Sequence, residues 1–132
     1  MRAILVVDDE CGIVDVLVAV LEEAGYRVFT AANGQSGLER VAENKADLVI
    51  SDFMMPLMNG AAMARAMRAD PAYRHTPIIM MSAVPEPAVR ARFDGYQAFL
   101  RKPFGVTALL DLVATILNER LELGGTCKTS ST

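Results

Sequence analysis

Five polar residues stand at the ends of short apolar runs, and together they could act on a phosphate. They are the neighbours Asp8 and Asp9, followed much later by Asp52, Ser82 and Lys102. Three carboxylates held close together would raise one another's pKa by repulsion unless a cation neutralised them. Mg²⁺ meets this need, because it takes oxygen ligands and is commonly held by a few carboxylates, water and a substrate phosphate. The residue types therefore indicate a magnesium site that a phosphorylated substrate completes.

Asp52 is the candidate nucleophile of this group. A carboxylate can attack a phosphoryl group and form an acyl phosphate. Mg²⁺ and the ammonium of Lys102 would neutralise charge on the transferred oxygens, and the hydroxyl of Ser82 would donate a hydrogen bond to them. Each residue also has an ordinary role, since aspartate and serine are common in turns and caps. Their joint occurrence after successive apolar runs is what favours a site.

Apolar runs and amphipathic stretches alternate along the chain and predict the elements that position these residues. The predicted strands are Ala3–Val7, Arg27–Thr30, Leu48–Ile50, Ile78–Met81 and Ala98–Arg101. The predicted helices are Ile13–Leu21, Gly34–Asn44 with Asn33 as its cap, Gly60–Ala69, Ala88–Phe93 and Val106–Leu121. The fourth helix is expected to be short, because Pro85 and Pro87 restrict the backbone before it.

This alternation predicts an α/β fold with a doubly wound, five-stranded parallel sheet in the order 2-1-3-4-5 and five helices. In such a sheet, ligands collect beyond the carboxyl ends of the strands, near the switch point between the first and third strands. All five polar residues fall at that edge. We expect one domain over residues 1–122 and a polar tail over residues 123–132.

Composition limits the classes of function. The chain has 132 residues, with 13 Lys and Arg against 16 Asp and Glu, and a net charge of -3. No dense run of basic residues is present, so direct nucleic-acid binding is not expected. The longest apolar runs, such as Val16–Leu21, fall short of the roughly 18 residues of a membrane span, and the start lacks a charged segment with a cleavage site. We therefore expect a cytoplasmic protein without membrane contact.

The same residues resemble the receiver domains of two-component response regulators. The motifs that match are Val6-Val7-Asp8-Asp9-Glu10, Asp52-Phe-Met-Met-Pro56 with Gly60 after it, Met81-Ser-Ala83 and Lys102-Pro-Phe104. The resemblance extends over residues 2–121 and implies a flavodoxin-like fold. It implies Mg²⁺-dependent phosphorylation of Asp52 by a histidine kinase or a histidine phosphotransfer protein. It also implies that the chain is no turnover enzyme and assists only its own phosphorylation and dephosphorylation.

The resemblance assigns the metal ligands residue by residue. Asp9 and Asp52 would bind Mg²⁺ directly, together with the main-chain carbonyl of Met54, and Asp8 would hold the ion mainly through water. The Lys102–Pro103 peptide bond would be cis.

The resemblance also implies a conformational switch made of Ser82 and Phe99. When phosphate draws Ser82 inward, Phe99 would fill the vacated space and remodel the face formed by the fourth helix, fifth strand and fifth helix. A downstream protein target would bind that face, and the chain would be a monomer or a phosphorylation-dependent dimer. The ordinary alternative for Phe99 is a core aromatic residue.

One segment departs from the family pattern, and two apolar residues bear on the lifetime of the phosphorylated form. The segment between Ser82 and Lys102 is slightly shorter than in most members and has Asp94-Gly95-Tyr96 where a Gly-Ala-Asp-like turn is usual. This segment includes the fourth helix, so the departure concerns how the output face recognises a partner. Met54 and Val84 are apolar at positions that, by resemblance, govern access of the water that removes the phosphate. We therefore expect a long-lived phosphoryl-Asp52.

Three other functions remain open. The chain could be a receiver-like interaction module that works without phosphorylation, although no site position is replaced. An aspartate-nucleophile phosphatase would have a second aspartate two residues after the nucleophile, where this chain has Met54. Finally, a receiver cut from a longer DNA-binding or enzymatic response regulator would have the same sequence features.

Overall fold

A computed structural model describes residues 2–55 and 58–124. Within these residues, five strands and five helices alternate in the predicted order. The strands are β1 (Ala3–Val7), β2 (Arg27–Ala31), β3 (Leu48–Asp52), β4 (Ile78–Ser82) and β5 (Ala98–Arg101). The helices are α1 (Cys11–Glu23), α2 (Gly34–Asn44), α3 (Gly60–Ala69), α4 (Glu86–Arg92) and α5 (Val106–Gly124).

All neighbouring strands pair in parallel, in the order β2-β1-β3-β4-β5. This confirms the predicted doubly wound sheet. The central strands β1, β3 and β4 are buried along their whole length, because helices cover both faces of a parallel sheet. The edge strands β2 and β5 are only partly buried.

The core forms two layers, one on each side of the sheet. Successive strand side chains point to opposite faces, so Ile4 and Val6 pack with helices α1 and α5, whereas Leu5 and Val7 pack towards α2 and α3. Val89 of α4 belongs to the second layer. None of the helices in the described part of the chain has the length and hydrophobicity that a membrane span requires.

Local signals position several helix ends. The side chain of Asn33 accepts a hydrogen bond from the main-chain N–H of Ser36 at 2.9 Å, which confirms the predicted cap of α2. Asn59 caps α3 in the same way through Ala62, at 2.8 Å. Gly25 has φ +100 after α1, a conformation that glycine adopts without a steric penalty.

Some boundaries differ from the prediction. Helix α4 begins at Glu86 rather than Ala88, because Pro87 fits the first helical turn, where a main-chain N–H has no helical acceptor. Helix α5 continues to Gly124, so the first residues of the predicted tail are helical. Residues 125–132 lie outside the described residues.

Candidate functional site

The carboxyl ends of β1 and β3 bring the three predicted aspartates together. Asp8 follows β1 directly and Asp52 is the last residue of β3. One carboxylate oxygen from each of Asp8, Asp9 and Asp52 lies within 4.8 Å of the others. Asp8 and Asp52 are only 2% and 7% exposed, whereas Asp9 is exposed. A set of oxygen donors with one open side suits a small hard cation such as Mg²⁺.

Lys102 reaches across from the end of β5 and bridges two of these carboxylates. Its ammonium Nζ lies 2.9 Å from Asp8 Oδ2 and 3.2 Å from Asp52 Oδ1. The main-chain N–H of Lys102 donates to the carbonyl of Ser82 at 2.8 Å, which ties the end of β5 to the end of β4. The Lys102–Pro103 peptide is cis, as the family resemblance implied.

Burial and charge oppose each other at Asp52. The pKa of this carboxyl is raised from 3.8 to about 6, with burial as the largest cause and the charge of Asp8 as the next, while Lys102 and the N–H of Phe53 act in the opposite direction. The sequence predicted a raised pKa from repulsion between carboxylates, and the structure shows that burial is the larger cause. At pH 7 the carboxylate remains the major form, which a nucleophile requires.

The pKa of Lys102 is also raised, which favours its charged form. Burial disfavours its charged form, but the hydrogen bond to Asp8 and the charges of Asp52 and Asp8 outweigh burial and raise the pKa of the ammonium. The cation is therefore retained at the site throughout the physiological pH range.

Ser82 lies at the same edge of the sheet and is 1% exposed. Its Oγ accepts a hydrogen bond from the main-chain N–H of Val84 at 2.9 Å. That bond orients the side chain and leaves the hydroxyl proton to be donated elsewhere. Ser82 can thus present a neutral donor, as predicted from its type and position.

The segment that follows Asp52 is held by close main-chain packing. The hydroxyl of Ser51 donates to the carbonyl of Asp52 at 2.9 Å, and the N–H of Gly60 donates to the carbonyl of Phe53 at 3.0 Å. A Cβ atom on Gly60 would lie 2.3 Å from the Asp52 carbonyl oxygen. Only glycine therefore fits at the start of α3 next to the candidate nucleophile.

Met54 and Phe99 do not join the polar cluster through their side chains. The side chain of Met54 is 57% exposed. Phe99 is half-buried and packs against Tyr96, with ring centroids 6.2 Å apart. The hydroxyl of Tyr96 donates to Glu86 Oε2 at 3.0 Å, so the aromatic residue proposed as a switch is connected to the start of α4.

Two residues near the site were not predicted from the sequence. Glu10 Oε1 lies 3.4 Å from Lys102 Nζ, and its only signal was its place in the run Asp8-Asp9-Glu10. Ser51 is the buried hydroxyl that holds the Asp52 carbonyl. A polar residue inside an otherwise apolar strand was the signal for it.

Comparisons with known proteins agree with this geometry. A family model described as "Response regulator receiver domain" matches residues 4–114, a range that includes every candidate site residue. The phosphate regulon transcriptional regulatory protein PhoB of Pseudomonas aeruginosa is 31% identical over 118 residues, which are 88% of this chain and 52% of that protein. The sensory/regulatory protein RpfC of Xanthomonas campestris pv. campestris is 39% identical over 116 residues, or 85% of this chain and 16% of that protein.

Two solved structures show the same architecture. The chemotaxis protein CheY4 of Vibrio cholerae has 33% identity and a TM-score of 0.83, and the match covers 88% of this chain and 98% of that one. The receiver domain of the sensor histidine kinase PA1611 from Pseudomonas aeruginosa PAO1 has 26% identity and a TM-score of 0.81, with 89% and 98% covered. That structure was solved with a magnesium ion coordinated in the active-site cleft. The chain thus spans 52% and 16% of the two curated relatives and nearly all of the two solved domains.

Proposed function

This chain belongs to the response regulator receiver domain family of two-component signalling, and we propose that it works by accepting a phosphoryl group on Asp52. The position of Asp52 carries this proposal. Its carboxylate is nearly buried, contacts the ammonium of Lys102, and lies within 4.8 Å of the carboxylates of Asp8 and Asp9. Such a group is nucleophilic, and positive charge is already placed where a phosphoryl group would arrive.

The phosphoryl donor is a phosphohistidine of a histidine kinase or of a histidine phosphotransfer protein. An oxygen of Asp52 attacks the phosphorus, the P–N bond of the donor breaks, and the imidazole that leaves takes up a proton. Lys102, now shared between Asp52 and Asp8, can pair with the transferred oxygens. Ser82 donates its free hydroxyl proton to the same oxygens.

Four residues would hold Mg²⁺: Asp9 and Asp52 directly through their carboxylates, Met54 through its main-chain carbonyl, and Asp8 mainly through water. When bound, the ion would neutralise the negative charge that builds up around the transferring group. Asp8 is already oriented for this, because its Oδ1 accepts the N–H of Glu10 at 2.9 Å while its Oδ2 contacts Lys102.

The remaining roles follow from this reaction. The chain assists only its own phosphorylation and dephosphorylation and turns over no other substrate. We propose that Ser82 and Phe99 transmit the modification and that a downstream protein reads it at the face of α4, β5 and α5. A cytoplasmic location is proposed as typical of the family. The curated relatives extend beyond the matched region.

Mass spectrometry after mixing the protein with Mg²⁺ and acetyl phosphate tests the proposal. We expect an adduct of about 80 Da, the mass of one phosphoryl group, to appear in the wild type and to be absent from Asp52→Asn. Asp111→Asn, which changes an exposed aspartate of α5, is the matched control and should keep the adduct. An unmodified wild type, or an Asp52→Asn variant that still gains the mass, would contradict the proposal.

A further inference from the structure

Helices α3 and α4 form a surface rich in arginine. The stretch from residue 53 to residue 69 contains no acidic residue and includes Arg65 and Arg68. Arg92 ends α4, and the side chains of Arg65 and Arg92 are both exposed. In a chain with a net charge of -3, this local excess of positive charge is a distinct feature.

Arg65 and Arg92 are held in place by aromatic rings. The guanidinium of Arg65 lies 5.7 Å from the ring centroid of Phe93, and that of Arg92 lies 5.9 Å from the ring centroid of Phe53. Arg65 also donates a hydrogen bond to the main-chain carbonyl of Arg92. A guanidinium that rests its face on a ring keeps N–H groups at its edge for other acceptors, so the pair is ordered and still able to bind.

The charge of these two arginines is not neutralised within the part of the chain that the structure describes. Arg40 pairs with Glu43, and Arg90 pairs with Glu86. Neither Arg65 nor Arg92 has a carboxylate within the 4.0 Å of an ion pair among the described residues. Ordered arginines without an internal partner are typical of sites where a partner's acidic groups bind.

We infer that Arg65 and Arg92, here called the arginine platform, bind an acidic segment of a partner protein through its carboxylates. Arginine is suited to this because its planar fork can donate two parallel hydrogen bonds to one carboxylate. The cleft of about 620 Å³ between α1 and α2 has five acidic side chains against one basic side chain, that of Arg40, and would repel the same segment. The acidic residues are Asp8, Asp9, Asp15, Glu39 and Glu43. The distribution of charge therefore directs an acidic partner to the side formed by α3 and α4.

The platform does not depend on the phosphoacceptor chemistry, and it adjoins the α4, β5 and α5 face proposed for output, because Arg92 is the last residue of α4 whereas Arg65 lies on α3. It consists of residues that touch neither the aspartates nor Lys102, and its binding needs no phosphoryl transfer. The test below uses unphosphorylated protein, so its failure would leave the proposal for Asp52 intact.

The experiment is a titration of the full chain, at low ionic strength and followed by heteronuclear NMR, with a peptide of six glutamates. We expect saturable shifts centred on the amides of α3 and on residues 90–95. Replacing both arginines, as Arg65→Gln with Arg92→Gln, should weaken the affinity about tenfold or more, because two charge-assisted contacts are lost.

Arg27→Gln with Lys45→Gln is the matched control. It removes the same charge from exposed positions, and Arg27 is also stacked on a ring, that of Phe29, at 5.0 Å. We expect the affinity of this variant for the peptide to stay within about twofold of the wild type, because exposed charges outside the binding site contribute little. Equal losses in the two double variants, or shifts centred outside the platform, would overturn the inference. Tighter binding of a six-nucleotide single-stranded RNA at the platform would also overturn it, in favour of a nucleic-acid partner.

Discussion

At the scale of single residues, Asp52 combines two demands that conflict. It is nearly buried beside Asp8 and Lys102, and in its proposed role as the nucleophile it must be ionised. Burial and the charge of Asp8 outweigh Lys102 and raise its pKa to about 6, which still leaves the carboxylate as the main form at pH 7. The metal-free protein therefore keeps a charged group in a position that favours the neutral form.

This conflict predicts how stability changes with pH. Because the pKa of Asp52 is about 6 in the folded protein and 3.8 for the free group, the folded state holds a proton that the unfolded state releases between these values. The contribution of Asp52 to the free energy of unfolding therefore falls as pH rises from about 4 to about 6, by up to about 3 kcal/mol.

Asp52→Asn should remove this effect. In metal-free buffer at pH 7 we expect the variant to be more stable than the wild type by about 1 to 3 kcal/mol, and the difference to shrink towards zero near pH 4. Urea unfolding with a chelator at the two pH values measures it, and Asp111→Asn provides the exposed control. A variant less stable than the wild type at pH 7 would show that the contact with Lys102 outweighs burial.

Met54 provides a second prediction at the residue scale. Its side chain is 57% exposed beside the site and cannot orient water by hydrogen bonding. We expect phosphoryl-Asp52 to last minutes or longer in the isolated protein with Mg²⁺, and Met54→Asn to shorten its lifetime because an amide can position the attacking water. Decay of the adduct mass after removal of acetyl phosphate gives both rates. Loss within seconds in the wild type would refute the expectation.

At the scale of secondary-structure elements, the start of α3 is packed directly against the end of β3. Gly60→Ala would place a methyl carbon 2.3 Å from the Asp52 carbonyl oxygen, which no side-chain movement can relieve. We expect this variant to lose about 1 to 3 kcal/mol of stability and to accept phosphate more slowly, because the main chain of Asp52 must shift.

Gly12→Ala is the control for Gly60→Ala. Gly12 lies in helix α1, and a Cβ atom there would meet nothing within 4 Å. Alanine should stabilise the protein there by up to about 1 kcal/mol, because glycine is a poor helix former. Thermal and urea unfolding should therefore show changes in stability of opposite sign for the two variants, relative to the wild type. Equal effects would mean that the contact at Gly60 is not the cause.

Helix α4 shows how a short element can still be well anchored. It has only seven residues, but Val89 is fully buried and Glu86 accepts a hydrogen bond from Tyr96. Tyr96 in turn packs against Phe99. A movement of Phe99 would therefore reach α4 through Tyr96, which gives the proposed switch a physical route to the output face.

At the scale of the whole molecule, the parallel sheet places the carboxyl end of every strand at one edge. Residues at the ends of β1, β3 and β5 therefore meet in space, although they lie far apart in the sequence. Lys102 and Asp8 are 94 positions apart and 2.9 Å apart in space. An ion bound there would link several strands at once and should stabilise the entire fold, since it binds the folded state and not the unfolded one.

We expect Mg²⁺ to raise the melting temperature at pH 7 and to bind about tenfold more weakly at pH 5, because at pH 5 a proton occupies most copies of an Asp52 whose pKa is about 6. Titrations of the melting temperature with MgCl₂ at the two pH values measure this. Asp52→Asn should lack the pH dependence. The same affinity at both pH values in the wild type would show that Asp52 is not a ligand.

The amino-acid sequence was sufficient to predict the elements, their order in the sheet and the residue types at the strand ends. Apolar runs such as Ala3–Val7 are local signals, and the rule that a parallel crossover is right-handed turns them into a topology. Asp8, Asp9, Asp52, Ser82 and Lys102 could be identified because each lies within two residues of the end of such a run.

The way in which these groups share charge depends on the folded arrangement. Burial, rather than repulsion alone, sets the pKa of Asp52, and Glu10 joins the contacts of Lys102. The stacking of Arg65 on Phe93 and of Arg92 on Phe53 depends on how α3 and α4 pack on the sheet. Depth of burial and contacts between distant segments come from the packing of whole layers, and no local pattern of residues encodes them.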